Sequence, residues 1–152
     1  MAGIDSLDRT IIQILQRDGR TSHAAMARSL GISEGTIRRR LAKLLKDRVI
    51  RVVAVAEPER LGYHTSAFIG LQVDPARVEA VATDLAALSE AGHVAITTGS
   101  YDIFVGVNLA STAALAAFLH HKIGTVEGVR RTETFIGLEI LKRAPGPGTP
   151  LG

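Results

Sequence analysis

Residues 22–50 spell out a short helix, a glycine turn and a longer basic helix, and this succession constrains the fold more than any other stretch of the chain. Ser22 is placed to cap a helix whose Met26 and Leu30 lie one turn apart on one face. Gly31 follows, where a tight turn favours a residue free to take positive φ. Ser33 is placed to cap the next helix, in which Ile37, Leu41, Leu44 and Leu45 form one apolar stripe. Its other face carries Gly35, Arg39, Ala42, Lys43 and Lys46, flanked by Thr36, Arg38 and Arg40. Upstream, Leu7, Ile11, Ile14 and Leu15 predict a further helix over 5–18, with Asp8 favouring its N-terminus and Gly19 ending it. This is a helix-turn-helix with a basic outer surface, the shape that enters a DNA major groove.

Charge supports the same partner, double-stranded DNA. Net charge is only +3, but residues 1–60 hold 12 Lys and Arg against 7 Asp and Glu, while residues 61–152 hold 6 against 8. Only the first part has the electrostatic character of a DNA-facing module. Arginine pairs bidentately with guanine or phosphate, whereas lysine acts mainly as a point charge on the backbone. Base readout is therefore expected from Gly35, Thr36 and Arg39 near the helix start at Ser33. Phosphate contacts are expected from Arg38, Arg40 and Lys43, with Arg20 assisting.

Residues 51–56, Arg-Val-Val-Ala-Val-Ala, predict a strand, serving as a wing or as a link within a connector at 51–62. Beyond it, 63–73 alternates with Ala67, Ile69, Leu71 and Val73 on one face. Asp74-Pro75 predicts a helix start, with Val78, Val81, Leu85 and Leu88 as its core stripe and Gly92 stopping it. Strands are expected over 94–98 and 103–109, separated by a turn at Gly99-Ser-Tyr-Asp102. Ser111 is placed to cap a helix with Leu115, Phe118, Leu119 and Ile123 inward, ending at Gly124, and 129–141 is the last strand. The order βαββαβ is a ferredoxin-like arrangement, so the chain reads as α+β, with domains at 1–50 and 63–141 and a disordered tail at 142–152.

Two helices cover one face of such a sheet. The other face carries three copies of one pattern, Phe68-Ile-Gly70, Phe104-Val-Gly106 and Phe135-Ile-Gly137. Period-2 alternation directs each Phe and Gly away from the helices. A monomer seldom leaves such an aromatic patch wet, and the glycines would let another backbone approach closely. A second copy fits better than RNA, because the module is acidic and lacks a basic aromatic motif. A homodimer through Phe68, Gly70, Phe104, Gly106, Phe135 and Gly137 is therefore expected.

With these residues in place, the chain resembles the Lrp/AsnC (feast/famine) family of transcriptional regulators. The matching stretches are Leu7-Asp-Arg-Thr-Ile-Ile-Gln-Ile-Leu15, Asp18-Gly-Arg20, Gly31-Ile-Ser33, Thr36-Ile-Arg-Arg-Arg-Leu41 with Leu44, Val49-Ile50, Leu61-Gly62, Thr98-Gly-Ser-Tyr-Asp102 and Gly128-Val129. The match runs from Ile4 to Leu141. The resemblance implies a winged helix-turn-helix joined to a βαββαβ effector and dimerisation domain, dimers that often close into an octamer, and a small effector, frequently an amino acid. It maps the effector signature onto Thr98, Gly99, Ser100, Tyr101 and Asp102. Asp102 would pair with the effector's ammonium, amides at Gly99 would hold its carboxylate, and Tyr101 would wall its side chain. Thr97 and residues 127–134 are lesser candidates from a neighbouring chain. The residues alone favour a plain hairpin turn at 99–102, and only the resemblance sets the effector reading level with it. Two positions depart from the family pattern: Gly35 stands within the reading helix, and Arg48 precedes Val49-Ile50 where glycine is usual.

The sequence lacks cysteine, which excludes disulfides and thiol nucleophiles. No metal site or cofactor is expected, since His120 and His121 diverge on their helix and the other histidines lack ligand spacing. No nucleophile triad, phosphate loop or paired carboxylates appear, so an enzyme is not expected. No apolar run long enough to span a membrane and no signal pattern are seen, and the chain reads as cytoplasmic. The alternatives are a low-specificity architectural DNA-binding protein without effector and a ligand-sensing subunit attached to an enzyme.

Overall fold

The computed structural model describes residues 3–141; the tail expected at 142–152 lies outside the described residues. Contacts divide the chain into two compact units, the first ending at Val55 and the second beginning at Ala56.

The first unit contains α1 (Ser6–Arg17), α2 (His23–Leu30) and α3 (Glu34–Lys46). Each helix opens on a side chain that accepts a first-turn amide: Asp5 from Asp8, Ser22 from Ala25 and Ser33 from Thr36. These bonds satisfy donors that a helix leaves unpaired. At α1 the exchange is mutual, since Asp8 also accepts from the Asp5 amide. Gly31 closes α2 at φ 65, as the turn requires. α1 closes at Asp18 in extended backbone, and Gly19 is not among the residues with positive φ, so the glycine stop expected there is not used. Ile11, Ile12, Met26, Ala27, Ile37 and Leu44 form the buried core. Leu45, expected in the stripe, is 41 % exposed. It lies about 80° round the helix from Ile37, at the edge of the buried arc.

Residues 51–57 form no strand, against expectation. A strand exists only through hydrogen bonds to a neighbour, and no described segment pairs with this one; Val52, Val53 and Val55 are exposed.

The second unit contains β1 (Thr65–Val73), α4 (Val78–Ala86), β2 (Ala91–Ile96), β3 (Ile103–Leu109), α5 (Thr112–Phe118) and β4 (Val129–Ile136). The strands pair antiparallel in the order β2-β3-β1-β4, the ferredoxin-like arrangement. Ala67, Ile69, Leu71 and Val73 of β1 and the alternate residues 103–109 of β3 pack with Val81 and Leu85 of α4 and with Leu115 and Phe118 of α5. α5 continues through a π turn, Leu119–Ile123, that buries Ile123.

Several boundaries differ from expectation. Asp74 does not cap α4; its carboxylate accepts from Arg130 Nε, and a 3-10 turn at Pro75–Arg77 precedes the helix. α4 ends at Ala86, and β2 has begun by Ala91, so Gly92 belongs to the strand. β4 stops at Ile136, where its ladder with β1 ends at Ala67; one further bond, from the Gly137 amide to the Ser66 carbonyl, follows without extending the strand.

Candidate DNA-reading face and effector turn

The stripe that buries Ile37 and Leu44 sends the opposite side of α3 to solvent, where Arg39 and Lys43 are exposed. Neither makes an ion pair or side-chain hydrogen bond among the described residues. Arg38 is exposed too, but its guanidinium bonds Glu34 at 2.9 Å, one turn back on the same helix. At the helix start the Ser33 and Thr36 hydroxyls lie 2.9 Å apart, and the Thr36 amide donates to Ser33 Oγ at 3.2 Å. Gly35 lies between them, and a Cβ built there would meet only Ser33 Oγ, at 3.9 Å. The first turn of α3 is thus bare and open to a close approach. Arg20 is exposed in the turn after α1, its amide held by Asp18 at 2.9 Å.

Arg40, expected on phosphate, is engaged within the unit. Its Nη1 bonds Asp5 Oδ2 at 2.5 Å and lies 3.4 Å from both oxygens of Asp8. Asp5 and Asp8 are the residues sequence reasoning missed. Their spacing announces a cap, but nothing local announces a partner more than thirty positions away.

On the second unit, the sheet face away from the helices carries Phe68, Phe104 and Phe135 as expected, and the glycines beside them lie against groups of the same chain. The ring of Tyr101 lies over Gly70, and that of Phe68 over Gly106, where a Cβ would come within 3.2 Å of ring Cε1. Gly137 lies against the Ser66 carbonyl, 2.9 Å from its own amide. Within the chain these gaps hold its own rings and backbone. Tyr101 meets Phe104 and Phe135 edge-on at centroid distances of 5.4 and 6.1 Å. Its hydroxyl donates to Glu133 of β4, and that bond, with burial, raises the phenol's pKa above its ordinary value. Glu133 lies in the 127–134 stretch expected to act from a neighbouring chain; its bond to Tyr101 of the same chain follows from the pairing of β4 with β1, which brings it beside Gly70.

The expected effector residues form one turn, with Gly99 at φ 105. Thr98, Gly99 and Ser100 are exposed. Asp102 is partly engaged: its Oδ2 accepts the Val73 amide at 2.8 Å, and its own amide donates to the Leu71 carbonyl at 2.8 Å. Gln72 holds the Ser100 carbonyl at 3.0 Å, and Thr97 Oγ1 holds that of Tyr101 at 2.8 Å. Asp102 and Tyr101 therefore first lash the turn to β1 and to the sheet face. Two open clefts of about 440 and 420 Å³ lie elsewhere in this unit, one beside Glu57, His64 and Leu138, the other beside Tyr63, Glu90 and Asn108. Among the described residues there is no group of three or more His, Asp and Glu arranged to hold a metal, and no helix long and apolar enough to cross a membrane.

Comparison with known proteins adds to this geometry. Residues 4–45 match the AsnC-type helix-turn-helix domain, and residues 66–147 match the Lrp/AsnC ligand binding domain. An HTH-type transcriptional regulator of Pyrococcus furiosus is 41 % identical over 140 residues, covering 91 % of this chain and 95 % of that protein. Regulatory protein AsnC of Escherichia coli is 36 % identical over 138 residues, covering 90 % and 91 %. The structure of Escherichia coli AsnC superposes with a TM-score of 0.84 at 34 % identity, covering 93 % of this chain and 96 % of that one. A Neisseria meningitidis transcriptional regulator in complex with L-Met shares the fold, with a TM-score of 0.85 at 21 % identity over 94 % and 95 % of the two chains.

Proposed function

The chain belongs to the Lrp/AsnC family of transcriptional regulators, and we propose that it reads a specific duplex sequence as a homodimer and answers to a small effector, an amino acid. Its two domains, a helix-turn-helix and a ligand-binding domain, and its regulator relatives define a non-enzymatic role. Its working place is taken to be the cytoplasm, where a bacterial or archaeal chromosome lies.

One observation carries the DNA part: α3 buries Ile37 and Leu44 while Arg39 and Lys43 stand exposed and unpaired among the described residues. Arg39, with Thr36 and the bare backbone at Gly35, reads base edges; Lys43, Arg38 and Arg20 bind phosphate. Ser33 holds the helix start against the groove. Dimerisation is supported by the sheet face, where Phe68 is 57 % and Phe135 44 % exposed. The octamer implied by the resemblance would be a further assembly of such dimers.

The effector is proposed to meet Thr98, Gly99 and Ser100 on the exposed side of the turn, with Asp102 offering its second oxygen to an ammonium. The Neisseria regulator that holds L-Met favours an amino acid. Only an effector that binds one assembly state better than another shifts their balance.

Binding of the full chain to duplex DNA across a salt series, combined with a thermal-shift screen against the common amino acids, tests this. Affinity should fall steeply with salt, Arg39→Ala should erase sequence preference, and one ligand class should raise the melting temperature. Binding without sequence preference and without a ligand response would favour an architectural protein instead.

A further inference from the structure

We propose that Arg40 is a positioning residue for DNA reading: it clamps α3 to the capped start of α1, fixing the angle at which Arg39 and Lys43 are presented, and touches no DNA itself. The inference rests on the DNA-binding function proposed above.

The two carboxylates that hold Arg40 are themselves fixed. Asp5 Oδ1 accepts the Asp8 amide at 2.9 Å, and Asp8 Oδ2 accepts the Asp5 amide at 3.3 Å. Asp8 is only 6 % exposed. The guanidinium is thus the third member of a capping box on another helix, and it joins residues 32 and 35 positions away in the chain. Arg38 offers the contrast. Its partner Glu34 belongs to the same helix, so that pair cannot fix α3 against anything.

Leaving this site would strand the nearly buried Asp8 carboxylate without its cation, which is costly. A phosphate would have to replace two carboxylates already in place. The charges agree with the geometry: the Asp8 amide and the Arg40 guanidinium hold the Asp5 carboxyl below its usual range, and Asp5 in turn raises Arg40.

The consequence for DNA reading follows from leverage. Side-chain tips lie roughly 5–6 Å from a helix axis, so a roll of α3 by about 10° carries them about 1 Å. A bidentate contact to a base edge tolerates little of that, whereas a phosphate contact through a flexible lysine tolerates most of it. Loss of the clamp should therefore erode selectivity before it erodes affinity for DNA in general.

The test uses the full chain, a duplex enriched from a random pool by the wild-type protein, and a scrambled duplex of the same length. Asp5→Asn keeps a capping side chain and removes a negative charge, so simple electrostatics expects tighter binding to both duplexes. The clamp expects the reverse for the selected duplex: about a tenfold loss there, no loss on the scrambled one, and a collapsed ratio. Arg40→Ala should lower the ratio similarly while leaving the salt slope at its wild-type value. Lys43→Ala, as the control, should reduce the slope by about one. If Arg40→Ala also reduces the slope by about one and weakens both duplexes alike, Arg40 is a phosphate contact and the inference fails. If both variants leave the ratio unchanged, any loss reflects only a smaller folded fraction, and the inference fails again. If the wild-type chain enriches no sequence, sequence-specific reading itself falls, and this inference with it.

Discussion

Tyr101 rests on Gly70: a Cβ added at Gly70 would lie 2.7 Å from ring Cγ and 2.9 Å from Cδ1. The contact ties the turn at 99–102 to the middle of the sheet, since Gly70 pairs with Phe104 on one side and Glu133 on the other. The residue beside the proposed effector contacts therefore also stands on the proposed dimer face. A shift of the turn would move a ring that helps to form that face.

Gly70→Ala should force the ring away. The expected cost is about 1–3 kcal/mol, the range for overpacking a filled site, read as a lower melting temperature, with weakened self-association in sedimentation. Adding Tyr101→Ala vacates the space, so the double variant should lose less than the sum of the two single losses. Strict additivity would show that the ring and the glycine do not meet in solution.

Arg48 takes φ 55, a region that disfavours residues with a Cβ. Its amide bonds the Leu45 carbonyl at 3.1 Å, and the Val49 amide bonds that of Leu44 at 2.9 Å. These two bonds form the Schellman closure of a helix, in which glycine usually holds the left-handed position. Arg48→Gly should stabilise the first unit by roughly 0.5–1 kcal/mol, the strain relieved less the extra entropy of glycine in the unfolded chain. Arg48→Val should destabilise it. Chemical denaturation of the three proteins checks the order, and wild type above Arg48→Gly would contradict it.

The same features show what the sequence made legible. Caps at Ser22, Ser33 and Ser111 and the glycine turn at Gly31 are local events, and alternation placed 103–109 with both ends correct. Strand ends at β2 and β4 were misjudged, because a strand ends where its ladder of hydrogen bonds ends, which alternation does not record. The segment 51–56 has strand-like composition but no described partner. At the site, the outward face of α3 was readable from its period. The pairing of Arg40 with Asp5, and of Tyr101 with Glu133, depends on elements brought together only by the fold.

The phenol of Tyr101 is raised above its ordinary value of 10.0, chiefly by its bond to the Glu133 carboxylate and by burial. A raised acid favours its protonated form in the folded state. The stabilisation is therefore complete below the ordinary tyrosine range and is lost as pH rises through the raised value. The second unit should weaken in strongly alkaline solution, and Tyr101→Phe, which has no proton to lose, should flatten that part of the profile. Melting temperature against pH for both proteins decides it; parallel profiles would show that the bond has no influence.

Asp102 has two duties that a single substitution can confuse. Its Oδ2 accepts the amide of Val73, which is 3 % exposed. Asp102→Ala would leave that donor unpaired in a nearly dry site, at a cost of about 1–3 kcal/mol with no ligand present. A lost ligand response in Asp102→Ala would therefore say little about effector chemistry. Asp102→Asn is the better probe, since its amide oxygen can still accept from Val73 while the charge is gone. It should melt closer to wild type than Asp102→Ala does. If Asp102 also pairs with an effector ammonium, the ligand that stabilises the wild-type chain should bind Asp102→Asn about tenfold more weakly, the scale of one lost charge-assisted bond. A full ligand response in Asp102→Asn would make Asp102 a turn residue alone and would move the search for the ammonium's partner to another chain of the assembly.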